Sequence, residues 1–552
     1  MTDTVQNDTA QTDFAPPAPA DNAWPNPLVA GFYPDPSVVK VGGDYYLANS
    51  TFEYLPGIPI FHSTDLVDWT QIGHVVERPG QLASAHVPTL GGAWAPTIRH
   101  RDGIFYVVVT DAMGRGMLIF SATDPAGPWS DGTLIQGIHG IDTDLAWDEN
   151  GLAYITYSGL DVTSGELPTG HKGILQFTVD LETGVPLSQP VSVWSGTGLK
   201  FPEAPHLYQH GEYWYLMIAE GGTERGHGIS VARGARPNGP FTEGAAAGGP
   251  ANPILSARST NRPIQNTGHG DLVETPDGGW AIVMLGMRPT GMTQAFSALG
   301  RETFITSARW ENGWLAADPV LLNPRPGETV FADDFAGETL APEWLAVRRY
   351  PAEVSTLAAG PGDAGADAPG GSAVADAASA PGRLVLTGEG STLDAEQPVL
   401  VGVRQRNPWS STSVRVGGVA GSGTGLGGLG VRYDEEHHYE IEVGNGVVTA
   451  RACVAGIRQE WTVPLAPQHL VDGAVTLGLD TVPPDASSML SGLTSDIVVL
   501  SVGAGADRVE LARVDGRYLS QETAASFTGR VLCLYAVTGE VSFAAFRYAG
   551  TE

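Results

Sequence analysis

The sequence predicts an all-β protein: a five-bladed β-propeller followed by a jelly-roll β-sandwich. Three observations carry that expectation. Hairpin-like segments recur five times in the first part of the chain, 72 glycines and 40 prolines punctuate short aromatic runs, and the character of the sequence changes near Phe331. At 552 residues the chain also exceeds what one core usually spans, so two cored units are expected.

In order along the chain, residues 1–23 are polar and acidic and read as a disordered tail. They lack the basic start and apolar stretch of a secretory signal, which sets a cytoplasmic location as the expectation. Residues 24–325 hold the repeat: PDPSVVKVGGDYYLANS from Pro34, APTIRHRDGIFYVVVTD from Ala95, IDTDLAWDENGLAYITYS from Ile141, PEAPHLYQHGEYWYLMIA from Pro202 and HGDLVETPDGGWAIVMLG from His269. Each copy reads as two strands around a glycine turn and is followed by further strand-like sequence, enough for a four-stranded sheet. One such blade cannot bury both faces, whereas five packed radially can. With the turn glycines Gly43, Gly103, Gly211 and Gly279 as markers, Asp35, Ala95, Glu203 and Asp271 each lie eight positions earlier, and Asp142 lies nine before Gly151. That position is where a blade's innermost strand begins near the ring axis, so acids far apart in sequence are expected to meet in one central cavity.

Residues 326–552 form the second unit. FADDFAGETLAPEWLAVRRY opens it, a low-complexity stretch over about 356–383 reads as a mobile surface loop, and strand-like runs from RLVLTGEG to FAAFRYAG complete it.

A formal net charge of −31 excludes nucleic acid and anionic membrane as natural partners and suits a neutral ligand. No apolar run reaches membrane-spanning length. The two cysteines, Cys453 and Cys533, supply neither a disulfide framework nor a multi-cysteine metal site.

Cleaving a glycosidic bond takes one carboxylic acid to protonate the leaving oxygen and a second carboxylate on the opposite face of the sugar. Asp35 in PDPS and Glu203 in PEAPH fit these roles, each beside prolines that fix the backbone, with Asp142 as a third acid able to orient the proton donor. A lone Asp beside Pro is usually a turn residue; three at matching blade positions change the odds. Asp271 occupies the same register and Asp144 lies close by, so spacing alone does not choose among them.

Taken together, NPLVAGFYPDPSVVKVGGDYYLANSTFEYLPGIPIFHSTDLVDW, GGAWAPTIRHRDGIFYVVVT, GIDTDLAWDENG, FPEAPHLYQHGEYWYLMIAEGGTERGH, NTGHGDLVETPDGGW and LGRETF resemble glycoside hydrolase family 43, in its branch of β-xylosidases and α-L-arabinofuranosidases with an added concanavalin A-like carboxyl-terminal sandwich. The likeness covers nearly the whole chain. It implies an exo-acting, inverting hydrolase that releases terminal β-D-xylose from xylo-oligosaccharides, with Asp35 as general base, Glu203 as general acid and Asp142 tuning and orienting the acid. It further implies that Arg301 hydrogen-bonds the sugar near Glu203, that Phe52 and Trp94 wall the sugar ring, and that Phe527 leans over from the second unit to close a blind pocket. His269 matches an axial histidine that in some relatives contacts a divalent cation such as calcium or its waters; no cofactor is required. Relatives often form dimers or tetramers, so a homo-oligomer is expected. IDTDLAW departs from the commoner IDPSLF pattern beside Asp142. An α-L-arabinofuranosidase or a bifunctional enzyme is the alternative. A non-catalytic sugar-binding propeller would lose at least one acid, and all three are present.

Overall fold

The computed structural model describes residues 24–160, 173–359, 382–419, 424–485, 491–524 and 527–552. Five antiparallel sheets follow one another in chain order, one per repeat. Their innermost strands are Ser37–Val41, Gly92–Arg101, Ile141–Trp147, Glu203–His210 and Gln265–Glu274, and we number the blades I to V accordingly.

Period-two alternation builds the ring, because each blade must bury both faces. In Ile104–Ala112, the second strand of blade II, Phe105, Val107 and Val109 pack toward Ile60 and Val75 of blade I. Val108, between them, packs toward Leu145 and Ile155 of blade III. Equivalent cores lie between blades III and IV around Trp194 and Leu216, between IV and V around Met217 and Ile282, and between V and I around Val283 and Leu47. The ring closes through the segment ahead of blade I: Val29 bridges Thr303, Asn26 bridges Asn323, and the Trp24 indole donates to Ser307 Oγ at 3.0 Å.

The second unit is a nearly closed β-sandwich. Its last strand, Val531–Thr551, runs 21 residues and pairs in turn with strands of both layers, from Leu400–Arg404 and Leu426–Arg432 to Gly382–Glu389 and Trp409–Gly417. The stretch expected as a loop over 356–383 is strand at both of its ends. Ser355–Ala359 pairs with Gly382–Glu389 in the register Thr356↔Val385 and Ala358↔Arg383, an alternation that buries Leu384 and Leu386; residues 360–381 lie outside the described residues, as does the expected tail at 1–23. Both cysteines are buried free thiols.

The two units share a core of their own. Phe32, Phe52 and Tyr54 of the propeller pack with Leu345, Val347, Leu400 and Val531 of the sandwich, and Ala346–Val347 pairs with Tyr54–Leu55 across the boundary. The sandwich is thereby fixed over the propeller's axial mouth.

Candidate active site

The innermost strands do more than frame the axis. Blades II, III and IV each carry one extra residue on this strand, between Trp94 and Thr97, Ile141 and Asp144, and Glu203 and His206; blade V carries two such shifts. At these bulges the backbone enters the left-handed region at non-glycine residues: Ala95 at φ 41°, Asp142 at 55°, Ala204 at 48°, Asn266 at 55° and His269 at 47°. Asp35, just ahead of blade I's strand, does the same at 52°. Each such residue costs about 1–3 kcal/mol, and such strain gathers at functional sites where it re-aims side chains.

Here it turns Asp35, Asp142, Glu203 and His269 into one cavity at the axial mouth. Phe52, Trp94, Arg301 and Phe527 line the same cavity, so all eight residues singled out in the sequence come together. Blade II can approach the Phe52 segment only because residue 92 is glycine: a Cβ there would meet Phe52 O at 2.2 Å, with φ at 92°.

Asp35 is held as an anion. Burial acts to raise its pKa, but Arg301, His269 and Ser50 outweigh it and the net shift is downward. Arg301 Nη1 donates to Oδ1 at 3.1 Å and Ser50 Oγ to Oδ2 at 2.6 Å, while His269 Nδ1 stands 3.4 Å from Oδ1. Glu203 is pushed the other way, well above the ordinary range, by burial and by the negative charges of Asp142 and Asp35. Asp142 is itself raised to about 7 by burial and the Asp35 charge, and its Oδ2 accepts the Ala204 N–H at 3.0 Å, tying it to the residue after Glu203.

Arg301 lines the cavity together with Glu203 and its charge acts on that carboxyl. Its direct carboxylate partner is Asp35, and its guanidinium is also anchored by the Phe527 carbonyl, 3.3 Å from Nη2, and reaches Thr223 Oγ1 at 3.3 Å. Phe527 in turn stacks on Phe52 at 6.1 Å between ring centroids and meets Trp94 edge-on at 5.7 Å, so the sandwich supplies one of three aromatic walls.

Asp271 and Asp144, the competitors by register, sit deeper. Arg99 of blade II donates to Asp271 Oδ2 and Asp144 Oδ1, both at 2.8 Å, and contacts His206 Nδ1 at 2.9 Å. Ser37 and Tyr208 complete the cluster on Asp271, so every blade contributes to a buried plug under the cavity. Counting back from Gly279 stops short of the cavity because blade V's turn spans five residues, with Glu274 opposite Trp280, where blade I's spans two, with Val41 opposite Asp44.

The surroundings of His269 do not fit direct calcium coordination. Calcium takes six or more oxygen ligands, whereas the nearest carboxylate oxygen, Asp35 Oδ1, is already held by Arg301. Among the described residues the converging His, Cys and Asp ligand atoms belong to Asp394, His438 and Cys453, in the sandwich.

Of the lining residues not expected at the site, two are polar, Thr223 and His227. They sit on the AEGGTERGH loop, whose paired glycines were the available signal. His227 Nδ1 lies 2.9 Å from the Asn266 carbonyl, and Nε2 is buried without a hydrogen-bond partner among the described residues.

Residues 24–315 match the model of glycosyl hydrolases family 43, and residues 367–550 match that of the beta xylosidase C-terminal concanavalin A-like domain. The chain belongs to family 43. A non-reducing end alpha-L-arabinofuranosidase of Bacteroides ovatus is 31% identical over 536 residues, 94% of this chain and 92% of the relative. A xylosidase/arabinosidase of Butyrivibrio fibrisolvens is 40% identical over 305 residues, 53% of this chain and 56% of its own. Among solved structures, the xylan beta-1,4-xylosidase of Bacillus halodurans C-125 superposes with a TM-score of 0.78 at 26% identity, covering 95% of this chain and 99% of that one. As a family 43 member the protein is a glycoside hydrolase, a chemistry that two carboxyl groups and a water perform without a cofactor. No described helix is long and apolar enough to cross a membrane.

Proposed function

We propose that this hydrolase releases terminal β-D-xylose from xylo-oligosaccharides by single displacement with inversion. The observation that carries the reading is a single cavity holding two carboxyl groups in opposite surroundings: Asp35 accepts from Arg301 and Ser50, which hold it low, while burial and the charges of Asp142 and Asp35 push Glu203 up. Asp35 acts as general base: it takes a proton from a water whose oxygen attacks the anomeric carbon. Glu203 acts as general acid and gives its proton to the departing glycosidic oxygen, and exchange with solvent then resets both groups. Asp142, through its charge and its bond to Ala204 N–H, keeps Glu203 protonated and aimed.

Exo action fits a cavity covered by Phe527, which leaves room for a chain end rather than a continuing chain. Xylose as the released sugar is supported by the xylosidase named among the structural relatives. The arabinofuranosidase matched along nearly the whole chain favours a second reading, α-L-arabinofuranoside cleavage at the same site.

Proton NMR of xylobiose with the purified protein tests the proposal. α-Xylose appearing ahead of mutarotation is the expected result. Intact xylobiose alongside cleavage of an α-L-arabinofuranoside would transfer the assignment to the second reading, and early β-xylose would overturn inversion.

A further inference from the structure

His227 sits on the loop joining the second and third strands of blade IV, with its ring against the innermost strand of blade V. Two features fix that ring. Nδ1 lies 2.9 Å from the Asn266 carbonyl oxygen, and a carbonyl only accepts, so the proton is on Nδ1 and Nε2 carries a bare lone pair. Residue 268 is glycine, and a Cβ there would come within 2.4 Å of the ring, so the contact depends on that absence. Asn266 also holds the loop from its other end, its Nδ2 donating to the Thr223 carbonyl at 3.3 Å.

Nε2 is therefore a buried acceptor, 1% of the residue being exposed, with no donor among the described residues, in a side chain that lines the catalytic cavity. Leaving such an atom unpaired is costly. Burial also pushes the imidazole down to about 4, which keeps it neutral across the working range. On the same wall Thr223 Oγ1 accepts from Arg301 Nη1, leaving the threonine proton free to donate.

We propose that His227 is a substrate-binding residue whose Nε2 accepts a hydrogen bond from one free hydroxyl of the non-reducing-end pentose, so that the site reads a chain end by its proton. An oxygen already joined to another sugar has no proton to give and leaves Nε2 unsatisfied; a free hydroxyl satisfies it. His227 thus selects against internal residues by chemistry, where Phe527 does so by shape. The inference rests on the cavity being the pentose subsite of the proposed function.

The variant His227→Asn separates binding from structure, because the asparagine amide nitrogen overlays Nδ1 and keeps the bond to Asn266 while nothing replaces Nε2. Hydrolysis of 4-nitrophenyl β-D-xyloside and α-L-arabinofuranoside by the unaltered enzyme is read first, and failure of the sugar assignment shows there alone. On whichever pentoside turns over, the monodeoxy analogues are compared with the parent by kcat/KM ratio within one preparation, which cancels the amount of folded enzyme. The unaltered enzyme is expected to lose about 10- to 100-fold on one analogue. His227→Asn is expected to be poorer on the parent by a similar factor yet indifferent to that same deletion, and His227→Gln, with an acceptor near the Nε2 position, to regain part of the discrimination. If His227→Asn keeps the full discrimination of the unaltered enzyme at every hydroxyl, the inference is overturned.

Discussion

Asp35 and Glu203 are carboxylic acids in one cavity, and what separates their chemistry is which neighbours each one has. Asp35 has the Arg301 guanidinium at 3.1 Å; Glu203 has burial and the charges of Asp142 and Asp35, with no cation in direct contact among the described residues. The reaction needs Asp35 ionised and Glu203 protonated, so the pH profile of kcat/KM is bounded below by Asp35, shifted down, and above by Glu203, shifted up. Because the Asp142 charge helps hold the proton on Glu203, neutralising it lets that proton leave at lower pH. Asp142→Asn, which retains an acceptor for the Ala204 N–H, is expected to move the alkaline limb toward acid and leave the acid limb nearly in place. Activity near neutral pH should fall on the order of tenfold for each unit the limb moves below the assay pH. An unmoved alkaline limb would mean that Asp142 acts by geometry alone.

Innermost strands illustrate what a sequence can and cannot disclose. Their number, order and burial follow from alternation: Phe105, Val107 and Val109 against Val108 already assign two faces to one strand. Asp35, Asp142 and Glu203 were legible because the repeats place them at one register. Bulges are not written in alternation, so the second shift in blade V, at His269, was visible only in the pairing, as was the longer turn that leaves Asp271 below the cavity. His227 was missed for a related reason: it reaches the cavity from a loop, through a gap that Gly268 leaves on another blade. Asp271 and Asp144 turn out to bind the blades together through Arg99, whose removal would strand two buried carboxylates. Arg99→Met is expected to destabilise the propeller by about 3–5 kcal/mol. Burial acts to raise Asp271, but Arg99 with the neighbouring hydrogen bonds outweighs it and holds the carboxyl well below its usual range; without Arg99 burial is left to resist ionisation. The loss should therefore shrink as pH falls and Asp271 is protonated in the variant. Thermal melts of variant and parent across pH 4 to 8 check both statements, and a deficit that does not vary with pH would assign Arg99 a packing role only.

At the level of the whole molecule, the sandwich holds none of the three acids yet completes the cavity twice, once with a side chain and once with a main-chain atom. The Phe527 ring stacks on Phe52 and meets Trp94, while the Phe527 carbonyl anchors the arginine that keeps Asp35 ionised. These contributions come apart under substitution. Phe527→Ala removes the aromatic cover and retains the carbonyl, so the sugar loses a wall and water gains entry while the charge balance at Asp35 persists. The expected result is a fall in kcat/KM on the order of 10²-fold, carried largely by KM, with the acid limb of the pH profile unmoved. If the acid limb rises together with KM, the ring also sets the position of Arg301, and the main-chain anchor is not sufficient by itself. Docking of the two units, through the Ala346–Val347 pairing with Tyr54–Leu55 and the core around Phe32, is what holds that carbonyl in place. The sandwich therefore acts on the chemistry through one arginine, and the pH profile of Phe527→Ala measures how much of that action belongs to the backbone.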